Sequence, residues 1–204
     1  MFQYNHNVHY ADLLLGQVPA ACRSALDVGC GDGGFARRLA DQFSAVVTGI
    51  DQDQAMIERA RTLVGDRQIR FVEADFLRYA FDEQFDFITA SASLHHMPLE
   101  QALLKMATLL RPGGVLAVLG LFREASLTDR AVAVAATPVN AFYALHRGRG
   151  ASGAPIKPPE MSLSEIRETA PSVLPGMRLR RLLLWRYLLT WQKPQASTVG
   201  SPGV

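Results

Sequence analysis

The 204-residue chain reads as one α/β domain built on a parallel sheet with helices on both faces, and three observations predict it. Short, continuous apolar runs alternate with segments whose apolar residues recur three and four apart, the pattern of buried strands and their covering helices. Glycines cluster directly behind the first apolar run, in "LDVGCGDGG" from Leu26 to Gly34. An acid, Asp51, ends the second run. The length suits a single hydrophobic core.

Each element follows in order. "SALDV" is the first strand, the glycines form a tight turn, and "FARRLADQF" carries helical spacing. "AVVTGI" is the second strand, and "DQAMIERARTLV" is a helix with Asp53 placed to cap it or to lie in its first turn. "QIRFVEAD" and "FDFITAS" are the third and fourth strands. "LEQALLKMATLL" is a helix opened by Pro98 at its first position, "RPGG" closes it, and "VLAVLG" is the fifth strand. The rhythm breaks over residues 121–165, where "EASLTDRAVAVAATPVNAFYALHR" reads as a helical insertion and "GRGASGAPIKPP" as a loop. "SLSEIRETA" is a short helix capped by Ser162 or Ser164. "MRLRRLLLWRYLLTWQKP" is expected to form two strands joined by a tight turn near Trp185 to Tyr187. Residues 1–23 are expected to form an N-terminal lid segment, residues 24–193 the domain, and residues 194–204 a disordered tail.

Composition narrows the function. The formal net charge of +2 supplies no strong field for nucleic acid or an anionic membrane. Two cysteines, Cys22 and Cys30, make no disulfide framework. The polar start "MFQYNHNVHY" lacks the regions of a signal peptide, and no apolar run reaches the roughly 18 residues of a membrane span. A soluble cytoplasmic protein is the expectation.

Glycine loses more conformational freedom on folding than other residues, so the cluster at Gly29, Gly31, Gly33 and Gly34 needs a geometric reason. A ligand crossing close to the backbone provides one. Gly29, Gly31 and Gly34 satisfy G-x-G-x-x-G, and Asp51 can accept from both hydroxyls of a ribose. A pyrophosphate ligand and a sulfonium ligand share these features. The acids separate them: Asp27, Asp32, Asp51 and Asp75 surround one turn. A carboxylate at Asp27 is a poor neighbour for pyrophosphate but suits an ammonium group and a positive sulfur. Asp75, ending the third strand, is placed either to take the amino group of a base or to cap a helix.

The chain resembles class I S-adenosylmethionine-dependent methyltransferases. The likeness rests on "LDVGCGDGGFARRLA", "VTGIDQDQAMIERA", "FVEADFL", "FDFITASASLHHM" and "LLRPGGVLAVLG", in that order, from Ser24 to Gly120. It implies a Rossmann-like, seven-stranded, mostly parallel sheet of order 3-2-1-4-5-7-6, with the last strands in "RLRRLLLWRYLLTWQKP". It also implies S-adenosylmethionine as cofactor. On this resemblance Gly29, Cys30 and Gly31 lie against its homocysteine part, and Asp27 orients its amino group. Asp51 binds the ribose, while Gln52 and Met56 line the adenine. Asp75 accepts from the exocyclic amine, the Phe76 N–H meets a ring nitrogen, and the Ala90 carbonyl accepts from the cofactor amino group.

Methyl transfer from a sulfonium requires alignment, exclusion of water and, where the acceptor carries a proton, a base. His95 and His96 follow the fourth strand, and His6 and His9 lie in the segment expected to fold over the same edge. These four are the candidate bases; the alternative is that one of the pair only shapes the loop. The spacing of His6 and His9 also invites a metal reading, but no cysteine pair or acid cluster accompanies them, so no metal is expected. Tyr4, Tyr10, Phe142, Tyr143 and His146 are candidates to line an apolar acceptor pocket. The fourth-strand loop reads "SASLHH" rather than the Asn/Asp-Pro-Pro-aromatic run of nucleic-acid amino- and base-methylating enzymes, and no RNA-binding module is evident. The expected partner is therefore a small-molecule acceptor, with no membrane and no nucleic acid. An RNA methyltransferase, a cofactor-binding protein without transfer activity and an NAD-dependent dehydrogenase stand as alternatives.

Overall fold

A computed structural model describes residues 6–123, 158–183 and 185–195, with side chains from Tyr10 onward. Its strands are β1 (Ser24–Val28), β2 (Val46–Asp51), β3 (Ile69–Glu73), β4 (Phe85–Ser91), β5 (Leu110–Leu121), β6 (Arg178–Arg181) and β7 (Arg186–Gln192). Its helices are α1 (His6–Leu15), α2 (Gly34–Phe43), α3 (Gln54–Thr62), α4 (Leu99–Leu109) and α5 (Leu163–Val173). The strands form one seven-stranded sheet of order β3-β2-β1-β4-β5-β7-β6. β7 runs antiparallel to both β5 and β6, whereas the pairs among β1 to β5 are parallel. The order is the one that the resemblance implies.

Alternation along the strands divides the core in two. Ala25, Val47, Phe87, Ala117 and Leu188 face one way and meet Tyr10 and Leu14 of α1, Leu39 of α2 and Ile57 of α3. Leu26, Ile50, Ile88, Val118 and Leu189 face the other way and meet Leu103 and Met106 of α4 and Ile166 of α5. Both faces are thus removed from water, as the unbroken apolar character of β1, β2 and β4 requires. The burial pattern of β3 alternates more, consistent with its place at the sheet edge.

Local chemistry sets the helix ends. Asp53 Oδ1 accepts from the Met56 N–H at 3.1 Å, so Asp53 is the cap of α3. Ser162 caps α5 in a reciprocal box with Glu165: its hydroxyl accepts from the Glu165 N–H, and Glu165 Oε2 accepts from the Ser162 N–H at 2.7 Å.

Three boundaries differ from expectation. Pro98 sits one position earlier than expected, as the residue before α4, and its carbonyl accepts from the Ala102 N–H. "RPGG" does not separate α4 from the fifth strand: β5 begins at Leu110, opposite Phe85, and the register slips before Val115 meets Phe87. Gly113 (φ +80) and Gly114 take up that slip while bonding to Lys193. The turn between β6 and β7 precedes Tyr187, which is paired in β7, and Trp185 carries its left-handed backbone at φ +57. The expected insertion lies for the most part outside the described residues: β5 runs to Leu121 and α5 starts at Leu163.

Candidate active site

The carboxyl ends of β1, β2 and β4 converge on the glycine turn, and nearly every position of that turn has a packing reason. A Cβ on Gly29 would stand 2.2 Å from Cβ of Ser93, one on Gly33 would enter the Phe71 ring, and one on Gly49 would strike Phe71 and Cys30 Sγ. Gly31 is different. A Cβ there would meet nothing within 4 Å, so this glycine, at φ +53, borders open space at the strand ends.

The turn's amides are already engaged. Gly29 and Cys30 both donate to the Ile50 carbonyl (2.8 and 3.1 Å), and Gly33 donates to the Cys30 carbonyl at 2.9 Å. Gly31 donates to Asp51 Oδ2 at 2.9 Å, and Gly34 to Asp32 Oδ1 at 3.2 Å. A pyrophosphate site needs such N–H groups turned toward the ligand. Here they bind the protein itself, and the open space is edged by carboxylates.

Asp27 is the most unusual group. It is 1% exposed, and its Oδ2 has no hydrogen-bond partner among the described residues. Burial, with the nearby Asp51 charge adding to it, pushes its carboxyl up to about 7 despite the pull of the Ala36 N–H. A buried carboxylate oxygen without a partner calls for a cation or a donor. Asp51 accepts from the Gly31 and Asp53 N–H groups (2.9 and 3.0 Å), which leaves lone pairs on both oxygens for further donors. Burial together with Asp27 and Asp51 drives the Cys30 thiol far above its ordinary range, so Cys30 is no thiolate nucleophile.

The loop after β3 flanks Asp51, whose carbonyl accepts from the Ala74 N–H at 2.9 Å. Asp75 is exposed; its Oδ1 accepts from the Leu77 N–H at 2.8 Å and its Oδ2 lies 3.6 Å from the Arg78 guanidinium. Phe76 is buried beside Phe81, with Lys105 Nζ 5.2 Å from its ring centre. Lys105 donates to the Leu77 and Tyr79 carbonyls (3.0 and 2.6 Å) and so fastens this loop to α4. Gln52 is exposed and Met56 half-buried where α3 begins.

On the other side, Ala90 pairs with Val28 and with Val118. Beyond β4 the chain passes through Ala92 at φ +54 and Ser93, whose hydroxyl donates to the Val28 carbonyl at 2.6 Å. Leu94–His96 then forms a 3-10 turn in which the rings of half-buried His95 and exposed His96 are 4.1 Å apart. His6 and His9 belong to the backbone of α1, which packs on the sheet face through Tyr10, Leu14 and Leu15; their side chains lie outside the described residues. Tyr10 is buried, and its hydroxyl donates to the Leu183 carbonyl at 3.3 Å, so it is a core residue rather than a pocket wall. Tyr4, Phe142, Tyr143 and His146 lie outside the described residues.

This geometry coincides with what comparison with known proteins finds. A family model described as "Methyltransferase domain" matches residues 25–114. An uncharacterized methyltransferase of Mycobacterium tuberculosis is 37% identical over 194 residues, covering 94% of this chain and 98% of that one. The chain belongs to the methyltransferase family. It is a class I, S-adenosylmethionine-dependent enzyme. The 27-O-demethylrifamycin SV methyltransferase of Amycolatopsis mediterranei is 39% identical over 115 residues, which is 52% of this chain and 42% of that protein. YcgJ of Bacillus subtilis shares the fold, with a TM-score of 0.67 at 17% identity over 93% of this chain and 100% of that one. Family membership sets aside the dehydrogenase and the non-catalytic readings.

In this methyltransferase the strand ends gather Asp27, Gly29, Cys30, Gly31, Asp51, Asp75, Phe76 and Ala90 at one edge, with His95 and His96 beside them. Asp32 holds the Gly34 N–H within the turn, and its Oδ2 lies 3.8 Å from Arg59. Ser93, Thr89 and Lys105 escaped the sequence reading. Ser93 lies inside the quoted "FDFITASASLHHM", but its contact with Gly29 joins positions 64 residues apart and leaves no local signature.

Proposed function

We propose that this methyltransferase acts on a small-molecule acceptor, with the cofactor lying across the glycine turn. Asp27 takes the cofactor's ammonium, Asp51 its ribose hydroxyls, and Asp75 with the Phe76 N–H its base; Gln52 and Met56 line the base, and the Ala90 carbonyl faces the amino group. The supporting observation is the buried, unpartnered Asp27 Oδ2 beside a turn whose amides are already engaged. Free acceptors with engaged donors fit a cationic amino-acid nucleoside and not a pyrophosphate. The open space at Gly31 fits the same ligand.

The cofactor supplies an electrophilic methyl group on a positive sulfur that leaves readily. The protein's task is then to align the acceptor atom, exclude water and receive a proton where the acceptor carries one. His95 and His96, held in a 3-10 turn at the end of a rigid strand, are the residues to orient the acceptor or take its proton. His6 and His9 are the alternative bases, at the first turns of α1.

A small acceptor is supported by the activity after which the rifamycin relative is named and by the trans-aconitate 2-methyltransferase of Escherichia coli, 40% identical over 108 residues. Those matches span about half of this chain, so they speak to chemistry more than to the acceptor itself. The test supplies tritiated-methyl cofactor with cell extract separated into metabolites, RNA and protein. Label entering the metabolite fraction is expected; label entering only RNA or protein would overturn the small-acceptor reading.

A further inference from the structure

A second buried group at the site is as poorly provided for as Asp27. Thr89 is fully buried in β4, and its Oγ1 has no hydrogen-bond partner among the described residues. The two groups are neighbours. Asp27 and Thr89 are register partners in the parallel β1–β4 pair, and side chains at paired positions project from the same face. Their row continues on either side with Gly49 and Ala117, neither of which carries a polar side chain that could bond to the two groups.

Strand alternation fixes that face. Ala25 and Phe87, two pairs earlier, belong to the core under α1, α2 and α3, while Val28 and Ala90, one pair later, belong to the opposite core. Asp27 and Thr89 therefore point toward α2, whose Ala36 N–H also acts on Asp27. A threonine buried in an apolar row normally gives its hydroxyl to a backbone carbonyl, and leaving such a group unsatisfied is costly. Two unsatisfied polar atoms at adjacent register positions, both beside the glycine turn, mark a place made for something that bonds to both.

We propose that Thr89 is a positioning residue of the cofactor site, acting with Asp27 to hold the ligand's ammonium end. One polar group, the ammonium itself or a single ordered water, bridges Thr89 Oγ1 and Asp27 Oδ2. Through that bridge the hydroxyl fixes the carboxylate's orientation. Valine would match the shape of threonine at this position while deleting its hydroxyl. The inference rests on the placement of the cofactor given above.

The test compares S-adenosylhomocysteine, which carries the amino-acid end, with 5′-methylthioadenosine, which lacks it. Calorimetric affinities are measured for the parent, Thr89→Val and Thr89→Ser. The parent's binding of S-adenosylhomocysteine comes first, because its absence would defeat the cofactor placement rather than the role of Thr89. Thr89→Val is expected to bind S-adenosylhomocysteine about tenfold more weakly, the effect of one lost hydrogen bond to a charged group, and 5′-methylthioadenosine within twofold of the parent. Its unliganded melting temperature should equal or exceed the parent's, since an unsatisfied buried hydroxyl has been removed. Thr89→Ser should restore the affinity. Should the valine variant not fold, Thr89→Ala deletes the same hydroxyl and is read in the same way. Unchanged affinity for S-adenosylhomocysteine, or an equal loss for both ligands, would overturn the proposal.

Discussion

Replacing Asp27 with asparagine should stabilise the unliganded protein in mild alkali while weakening its grip on the cofactor. Unfolded, the Asp27 carboxyl titrates near 3.8; folded, burial and Asp51 raise it to about 7. Between those values the native state keeps a proton that the unfolded state has released, so stability is lost as pH rises through this window. The full difference corresponds to roughly 4 kcal/mol, of which about 2 to 3 kcal/mol is lost between pH 5 and pH 8. Asparagine has no charge to bury, and its amide oxygen can still face the Ala36 N–H. Groups common to both proteins cancel when their melting temperatures are subtracted. For a chain of this length, the advantage of Asp27→Asn should grow by about 5 to 10 °C between pH 5 and pH 8, read by differential scanning calorimetry. Affinity for S-adenosylhomocysteine at pH 8 should fall in the same variant, because the ammonium has lost its carboxylate. Parallel melting curves across that pH range would mean instead that the carboxyl titrates normally in the folded protein.

Three further expectations follow from the same geometry. Gly31→Val should abolish binding of S-adenosylhomocysteine by placing a side chain in the open space, yet lose only about 1 to 3 kcal/mol of stability to its positive φ; normal binding by the variant would show that no ligand passes there. Lys105→Met releases two carbonyls of the loop that begins at Asp75, so affinity for S-adenosylhomocysteine should fall by roughly 1 to 3 kcal/mol and Lys105→Arg should recover most of it, both by calorimetry. Once an acceptor is in hand, His95→Asn or His96→Asn should slow single-turnover transfer about 100-fold or more with cofactor affinity nearly unchanged; rates within threefold of the parent for both would leave alignment as the whole mechanism.

The fold was legible because its signals are local. The apolar runs at Ala25–Val28 and Val47–Ile50, the cap at Asp53 and the helical spacing of Leu99, Leu103 and Met106 each follow from a few neighbouring residues. The edge where the strands end was legible for the same reason: glycines and acids close an apolar run. What escaped depends on side chains that meet across strands. Thr89 reads as one more β-branched strand residue until β4 is set beside β1, and only then does it stand against Asp27. Lys105 looks like a solvated helix lysine until its amine is seen on the Leu77 and Tyr79 carbonyls.

Passage of the cofactor across the glycine turn, with its ribose on Asp51, is tested by calorimetric titration of S-adenosylhomocysteine into the parent and Asp51→Ala. Circular dichroism establishes that the variant is folded, since Asp51 also holds the Gly31 and Asp53 amides. The parent should bind stoichiometrically, and the variant with an affinity lower by roughly 1.5 to 3 kcal/mol, the worth of hydrogen bonds to a carboxylate. A folded Asp51→Ala protein that binds S-adenosylhomocysteine as tightly as the parent would contradict that placement of the ribose.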